Sequence, residues 1–155
     1  MEITCRPAEP ADIAVLRALD TWLAQDAHRG EEIAAWVGAG QAHVALAEGE
    51  TAGYGVLTYG FFHEGFIEMV MVGTRFRRLG TGSALVGHLE AICRTQRLWA
   101  STNESNTPMR ALLERAGFVR SGIVEGLDEG DPELIYRKVI RPSSPRPRHS
   151  RAARG

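Results

Sequence analysis

The architecture of this 155-residue chain is decided by one stretch, Phe66-Ile67-Glu68-Met69-Val70-Met71-Val72-Gly73-Thr74-Arg75-Phe76-Arg77-Arg78-Leu79-Gly80-Thr81-Gly82-Ser83-Ala84-Leu85. The largely apolar run Phe66–Val72 predicts a strand. After the glycines, apolar residues recur at helical spacing: Leu85, Val86, Leu89, Ile92 and Cys93. The stretch therefore predicts a strand, a basic turn that contains glycine, and a helix that begins at the turn.

The turn has the features of an anion site. The first N–H groups of a helix have no partner inside the helix, and the helix dipole adds partial positive charge there. Gly80 and Gly82 carry no side chain, so a ligand can approach the backbone closely. Three arginines, Arg75, Arg77 and Arg78, add formal positive charge. These features together predict a site for a phosphate or pyrophosphate group.

The spacing of the glycines narrows the choice of phosphate-containing ligand. A dinucleotide-binding fingerprint would need glycine where this chain has Leu85, and no Gly-Lys-Ser/Thr sequence of a nucleoside-triphosphate loop follows. The pattern from Arg77 to Gly80 and Gly82 resembles instead the acetyl-CoA loop of the GNAT superfamily of N-acetyltransferases. Asn106, Met109, Leu112 and Ala116-Gly117-Phe118 look like the second signature of that family. The resemblance covers roughly residues 3–140.

The patterns along the chain predict alternating strands and helices. The expected strands are Ile3–Cys5, Ala42–Ala47, Ala52–Tyr59, Phe66–Val72, Leu98–Thr102, Phe118–Leu127 and Pro132–Val139. Gly53 and Gly55 predict a bulge or a close backbone neighbour within the third strand. The expected helices run from Pro10 to Leu19, with Trp22 and Leu23 as an extension, from Glu31 to Val37, after Gly80, and from Pro108, with Thr107 as the cap, to Gly117.

The family resemblance implies an α+β fold. Its centre would be a mostly antiparallel sheet of six or seven strands, accompanied by about four helices. The sheet would splay between the strand ending at Val72 and the strand ending near Thr102, and the gap would hold the pantetheine arm of acetyl-CoA. No metal site is predicted, because His28, His43, His63 and His88 show no metal-ligand spacing.

The resemblance also implies the residues that hold the cosubstrate. The backbone of Val70, Met71 and Val72 would pair with the pantetheine amides. The turn residues would hold the pyrophosphate: Arg77 at its opening, then the amides of Arg78, Leu79, Gly80, Thr81, Gly82 and Ser83. Asn106 would contact acetyl-CoA near its thiol end.

Glu68 is the candidate general base, because it is a carboxylate in an otherwise apolar strand. The alternation groups it with Val70 and Val72 on one face; the alternative is a glutamate on a solvated face. The family often has a tyrosine as general acid at the position of Leu113, and leucine cannot donate a proton. Tyr54, Tyr59 and Tyr136 are possible substitutes, although each also fits an ordinary place in the sheet.

Composition limits the class of protein. The chain is 44% hydrophobic and 24% charged, which fits one domain with a core, and no apolar run is long enough to span a bilayer. Only Cys5 and Cys93 are present, which predicts reduced thiols and a cytoplasmic location. Residues 141–155 contain five arginines, several prolines and no acid. We predict an acetyltransferase domain over residues 1–140 and a disordered basic tail over 141–155, without a specific nucleic-acid partner.

The resemblance implies transfer of an acetyl group from acetyl-CoA to a primary amine. Acidic residues near the last turn, Asp128, Glu129, Asp131 and Glu133, suggest a cationic small molecule as acceptor; the alternative is a solvated acidic hairpin. A protein or peptide acceptor and a catalytically silent acyl-CoA-binding module both stay open. A homodimer is an option that the sequence does not decide.

Overall fold

The computed structural model describes residues 2–141 of the chain, which form seven strands and four α-helices. The strands are β1 (Ile3–Pro7), β2 (Ala42–Ala47), β3 (Glu50–Phe61), β4 (Glu64–Val72), β5 (Arg97–Asn103), β6 (Val119–Val124) and β7 (Glu133–Val139). The helices are α1 (Ile13–Leu19), α2 (Arg29–Gly38), α3 (Thr81–Ile92) and α4 (Thr107–Arg115), and short 3₁₀ turns occupy Pro10–Asp12 and Thr74–Phe76.

All seven strands form one sheet, in the order β1-β2-β3-β4-β5-β7-β6. Every neighbouring pair is antiparallel except β4 and β5, which run parallel. Parallel neighbours need a long crossover connection, and α3 supplies it. The predicted α+β fold, with its mostly antiparallel sheet and four helices, is therefore confirmed.

Helices cover the two faces of the sheet unequally. Under α3 and α4 lies a cluster of buried side chains that includes Leu57, Ile67, Leu98, Ala100, Leu134 and Tyr136, drawn from β3, β4, β5 and β7. The cluster under α1 and α2 takes its buried strand residues only from β2, β3 and β4. The second face is thus covered by α1 and α2 beside β2–β4 only.

The glycine at position 53 is explained by a close backbone contact. A Cβ atom on Gly53 would lie 2.5 Å from the carbonyl oxygen of Met71 on β4. The pairing of β2 with β3 also shifts register next to Gly53, between Ala45 and Leu46. The close backbone neighbour predicted for this strand is therefore confirmed at Gly53, and a bulge is present beside it, with Ala52 as its extra residue.

Many predicted element ends differ from the observed ones, most of them by one or two residues, and three of the differences concern α1, α4 and β6. The first helix stops at Leu19, because the Asp20 carboxylate accepts the N–H of Trp22, two residues further along the chain. The last helix is capped by Asn106 and not by Thr107, since the Asn106 Oδ1 accepts the N–H of Met109 at 3.2 Å. β6 ends at Val124, three residues before Leu127.

The predicted basic tail, apart from Arg141, lies outside the described residues. Within residues 2–141, no helix combines the length and the apolar character that a bilayer crossing requires. The same residues bring together no group of three or more His, Cys, Asp or Glu side chains suited to a metal ion.

Candidate active site

The sheet opens where β4 and β5 stop pairing. The parallel ladder joins only Gly65–Ile67 of β4 to Leu98–Ala100 of β5. Beyond these residues β4 continues to Val72 and β5 to Asn103 without pairing to each other. The splay predicted between these two strands is present, and its apex lies at Ile67 and Ala100.

Glu68 lies at the first position beyond the apex, in a β-bulge. Across β3, Val56 pairs with Met69 and the next residue, Leu57, pairs with Ile67, so Glu68 is the extra residue of β4. The bulge reverses the alternation, because Ile67 packs under α3 and α4 whereas Met69 packs under α1 and α2.

The side chain of Glu68 is exposed, and its Oε1 accepts a hydrogen bond from the Thr58 hydroxyl at 3.1 Å. Thr58 follows Leu57 of the α3/α4 cluster, so strand alternation places Thr58 on the opposite face. Val70 packs against the α3/α4 cluster. The prediction that groups Glu68 with Val70 and Val72 on one face is therefore wrong for the carboxylate, because the bulge turns it toward Thr58.

The residues Val70, Met71 and Val72 form the free side of the splay. One edge of this segment pairs with Gly55, Tyr54 and Gly53 of β3. The other edge has no strand partner among the described residues. Main-chain N–H and C=O groups at such an edge can pair with an extended ligand.

The turn after β4 exposes backbone amides at the start of α3. Arg78 and Gly80 both have left-handed backbones, with φ of 64° and 85°. Gly80 occupies the N-cap position, and no side chain caps the helix there. Successive amides around left-handed residues form a concavity that suits an anion. The Thr81 hydroxyl donates to the carbonyl oxygen of Phe76 at 3.2 Å, which holds the turn against the helix.

The arginines of the turn have separate environments. Arg75 pairs with Glu50 at 2.9 Å, and its guanidinium lies 5.2 Å from the centre of the Phe76 ring. Arg77 and Arg78 are exposed and form no ion pair with another described residue. Arg77 and Arg78 are therefore the two that remain available to a phosphate.

Asn106 lies at the start of α4, and it is exposed. Its Oδ1 is used by the cap, so its side-chain NH₂ is the group that can donate to a ligand. Leu113 is fully buried in the α3/α4 cluster.

The three tyrosines have partners of their own. The Tyr54 hydroxyl donates to the buried Asp20 carboxylate, and burial raises the pKa of Tyr54 far above its ordinary value. The Tyr59 hydroxyl accepts the N–H of Arg94, and the Tyr136 hydroxyl lies 3.5 Å from Oε1 of Glu114.

The acidic residues of the last hairpin hold the β6–β7 connection to the end of β5. Asn103 donates to Asp128 at 2.9 Å, and Ser105 donates to Asp131 through its N–H and its hydroxyl. The Ser101 hydroxyl donates to Glu133 at 2.8 Å. Ser101 follows directly after the apex residue Ala100, so the Glu133 carboxylate lies near the splay.

No pattern in the sequence predicts a role for Thr58 or Ser101, or the pairing of Glu133. A hydroxyl inside a strand carries no distinctive spacing. The Ser101–Glu133 contact spans 32 positions, and only the paired strands bring it together.

Comparison with known proteins agrees with this architecture. The family model of the acetyltransferase (GNAT) family matches residues 11–118. A search of curated protein sequences gives no significant match.

Solved structures match the fold over most of the chain. A GNAT-family acetyltransferase from Bacillus cereus is 29% identical, with a TM-score of 0.84, over 90% of this chain and 98% of that one. The ribosomal-protein-S18-alanine N-acetyltransferase of Escherichia coli is 21% identical, with a TM-score of 0.72, over 92% and 97%. An acetyltransferase from Bacillus anthracis in complex with acetyl coenzyme A is 20% identical, with a TM-score of 0.58, over 63% and 61%.

The splayed sheet, the basic turn that opens α3 and the match over residues 11–118 lead to one conclusion. The chain belongs to the acetyltransferase (GNAT) family, whose members are acetyl-CoA-dependent transferases.

Proposed function

We propose that the protein transfers the acetyl group of acetyl-CoA to the primary amine of a cationic small molecule, with Glu68 as general base. One observation carries the proposal: an exposed carboxylate stands in a bulge at the apex of the splay, beside an unpaired strand edge that leads to the basic turn. A base and an extended acyl donor can therefore meet at one point.

The residues of the turn suit a diphosphate. Arg77 and Arg78 supply two exposed positive charges, and the uncapped amides from Arg78 to Ser83 supply donors. The edge of Val70–Val72 supplies main-chain groups for the amide-containing arm of acetyl-CoA. Gly82 lets the first turn of α3 pack closely on α4, because a Cβ there would lie 3.0 Å from a methyl group of Leu112.

Acetyl-CoA supplies the activated acyl group, and the protein manages protons and charge around it. The Glu68 carboxylate takes a proton from the ammonium group of the acceptor, so that the nitrogen lone pair can attack the acyl carbon. The N–H of Val70 or Met71, at the free edge, donates to the acyl oxygen as it gains charge. As the carbon–sulfur bond breaks, the Asn106 NH₂ and the positive end of the α4 dipole stabilise the thiolate, which takes up the proton that the acylated nitrogen loses, directly or through water.

Carboxylates around the splay favour a cationic acceptor. Glu68 and Glu133 lie near the apex, and the exposed Asp128 and Glu129 add negative charge at the β6–β7 connection. A negative entrance raises the encounter rate with cations and disfavours anionic amines.

Cosubstrate binding is tested with Gly82→Asp, measured by calorimetry. The new side chain adds negative charge at the first turn of α3 and a Cβ 3.0 Å from Leu112, so we expect at least a hundredfold loss of acetyl-CoA affinity. Gly87→Asp is the matched control, because it makes the same change on the same helix where a Cβ meets nothing within 4 Å. Equal affinities of the two variants for acetyl-CoA would contradict the pyrophosphate site.

Catalysis is tested with Glu68→Gln, which removes the base and keeps the shape. We expect kcat to fall by roughly 10²–10⁴, with little change in acetyl-CoA affinity. Thiol release would be followed with cationic, neutral and anionic amines and with short peptides. An unchanged kcat would remove Glu68 from the mechanism. Turnover of peptides alone would favour a protein acceptor. Binding of acetyl-CoA without turnover of any amine or peptide would favour the catalytically silent acyl-CoA-binding module.

A further inference from the structure

The open face of the sheet carries an aromatic groove. The aromatic groove is the concavity lined by Phe61, Phe62, Trp99, Ser121, Gly122, Ile123 and Ile135. Its volume is about 420 Å³. Trp99 and Ile135 alternate with buried residues of the α3/α4 cluster, so they point to the other face, which α1 and α2 leave uncovered here.

The aromatic side chains of the groove form a connected group. The Phe61 ring centre lies 5.0 Å from that of Phe62, 5.1 Å from that of Phe66 and 5.2 Å from that of Trp99. The Trp99 Nε1 donates to Glu64 at 2.9 Å, which fixes the plane of the indole. These contacts hold the aromatic side chains of the groove in place.

Phe62 is held in an unfavourable position. It is 83% exposed, and it shares a two-residue turn with His63, in which both residues have positive φ, 51° and 63°. Such a turn favours asparagine or glycine, and a left-handed backbone is unfavourable for a bulky residue such as phenylalanine. A phenylalanine that has an exposed ring and a strained backbone contributes little to folding, so its value lies in what the ring contacts.

The groove is continuous with the splay. Trp99 and Ser101 share a face of β5, about 7 Å apart along the strand, and Ser101 binds Glu133. On β4, the Glu68 carboxylate reaches Thr58, which pairs with the groove-side residue Phe66. The groove therefore has an apolar body and, toward the apex, an end with two carboxylates.

We infer that this groove binds the body of the acceptor, and that the acceptor is an arylalkylamine, an aromatic ring joined by a short chain to a primary ammonium. The ring packs among Phe61, Phe62 and Trp99, and the ammonium lies toward Glu68 and Glu133. A volume of about 420 Å³ lies in the range of small-molecule sites. The inference rests on the proposed function and names its substrate class.

The first test compares 2-phenylethylamine with ethylamine, which has the same ammonium group and no ring. We expect kcat/KM to be at least tenfold higher for 2-phenylethylamine, mainly through KM. The Phe62→Asn variant keeps a residue that tolerates positive φ and removes the ring, and the preference should fall at least fivefold. His63→Asn is the matched control in the same turn, and its preference should equal that of the wild type.

A second measurement separates this inference from the proposed function. Calorimetry with the CoA-saturated protein measures binding of 2-phenylethylamine without turnover. Binding that Phe62→Asn weakens, without acetylation, would contradict the proposed function and support the groove. The inference would be overturned if both amines were turned over at equal kcat/KM, or if neither amine were turned over or bound. It would also be overturned if sedimentation showed a dimer that Phe62→Asn dissociates.

Discussion

The stability of the protein should depend on pH through His43, a buried histidine of β2. The His43 Nδ1 lies 3.0 Å from Nε2 of His88 on α3, and the His43 residue is 7% exposed. Burial, and secondly the charge of a protonated His88, lower the pKa of His43 to about 4 from its ordinary 6.5. Burial lowers the pKa of His88 as well.

The direction of the pH dependence follows from the difference in proton binding between the unfolded and the folded chain. The unfolded chain binds a proton at position 43 below pH 6.5, whereas the folded chain resists it until about pH 4. Stability is therefore fully present above pH 6.5 and is lost as the pH falls through the window between the two values. At pH 5 the loss from this one group amounts to about 2 kcal/mol, and its limit at lower pH is about 3 kcal/mol.

The assay is urea denaturation at pH 7 and pH 5 for the wild type and His43→Gln. Glutamine does not titrate, so the variant should lose about 2 kcal/mol less than the wild type between the two pH values. His28→Gln, at an exposed position, controls for the loss of a histidine as such. If the wild type and His43→Gln lost the same free energy of unfolding, the buried histidine pair would not be the source of the dependence.

Three further outcomes are expected. Asn106→Ser should keep the helix cap and lower kcat more than Tyr136→Phe, which should stay within a few-fold of wild type in the thiol-release assay. Asp20→Asn should lower the urea-derived stability by about 3 kcal/mol, because it leaves the Arg29 guanidinium, 3.1 Å away, without its buried counter-ion. Arg78→Gly should relieve the left-handed backbone and raise the free energy of unfolding by up to about 1 kcal/mol, while acetyl-CoA binds several-fold more weakly by calorimetry.

The sequence predicts well what depends on short-range pattern. Phe66–Val72, the turn at Gly80 and the helix after it are contiguous, and β2 has the predicted ends, Ala42 and Ala47. The sequence predicts the end of α1 less well, because the Asp20 carboxylate that accepts the N–H of Trp22 is itself held by residues distant in the sequence. The Asp20 carboxylate that ends the helix receives a hydrogen bond from Tyr54, 34 positions away.

The candidate site also has a part that local sequence patterns predict and a part that depends on distant strand pairing. The turn proposed to hold the pyrophosphate is local, so its glycines and arginines can be recognised in order along the chain. The bulge at Glu68 exists only in the register between β3 and β4, and no spacing within β4 announces it. The aromatic groove combines residues of β3, β5, β6 and β7, which strand pairing brings together from positions 61–135. The predicted cytoplasmic location and the basic tail stay predictions.

The bulge at Glu68 explains how β4 can border both the proposed acceptor site and the proposed acetyl-CoA site. With strict alternation, Ile67 and Met69 would point to the same face of the sheet; the extra residue Glu68 sends them to opposite faces. Before the bulge β4 is paired on both sides and borders the groove through Phe66, whereas after it one edge is free and leads to the basic turn. The residue at this change is also the one carboxylate of β4 beyond the apex. The acceptor side and the donor side of the proposed reaction therefore meet at the bulge, so the proposed base, Glu68, stands at an irregular position of β4 and not within its regular ladder.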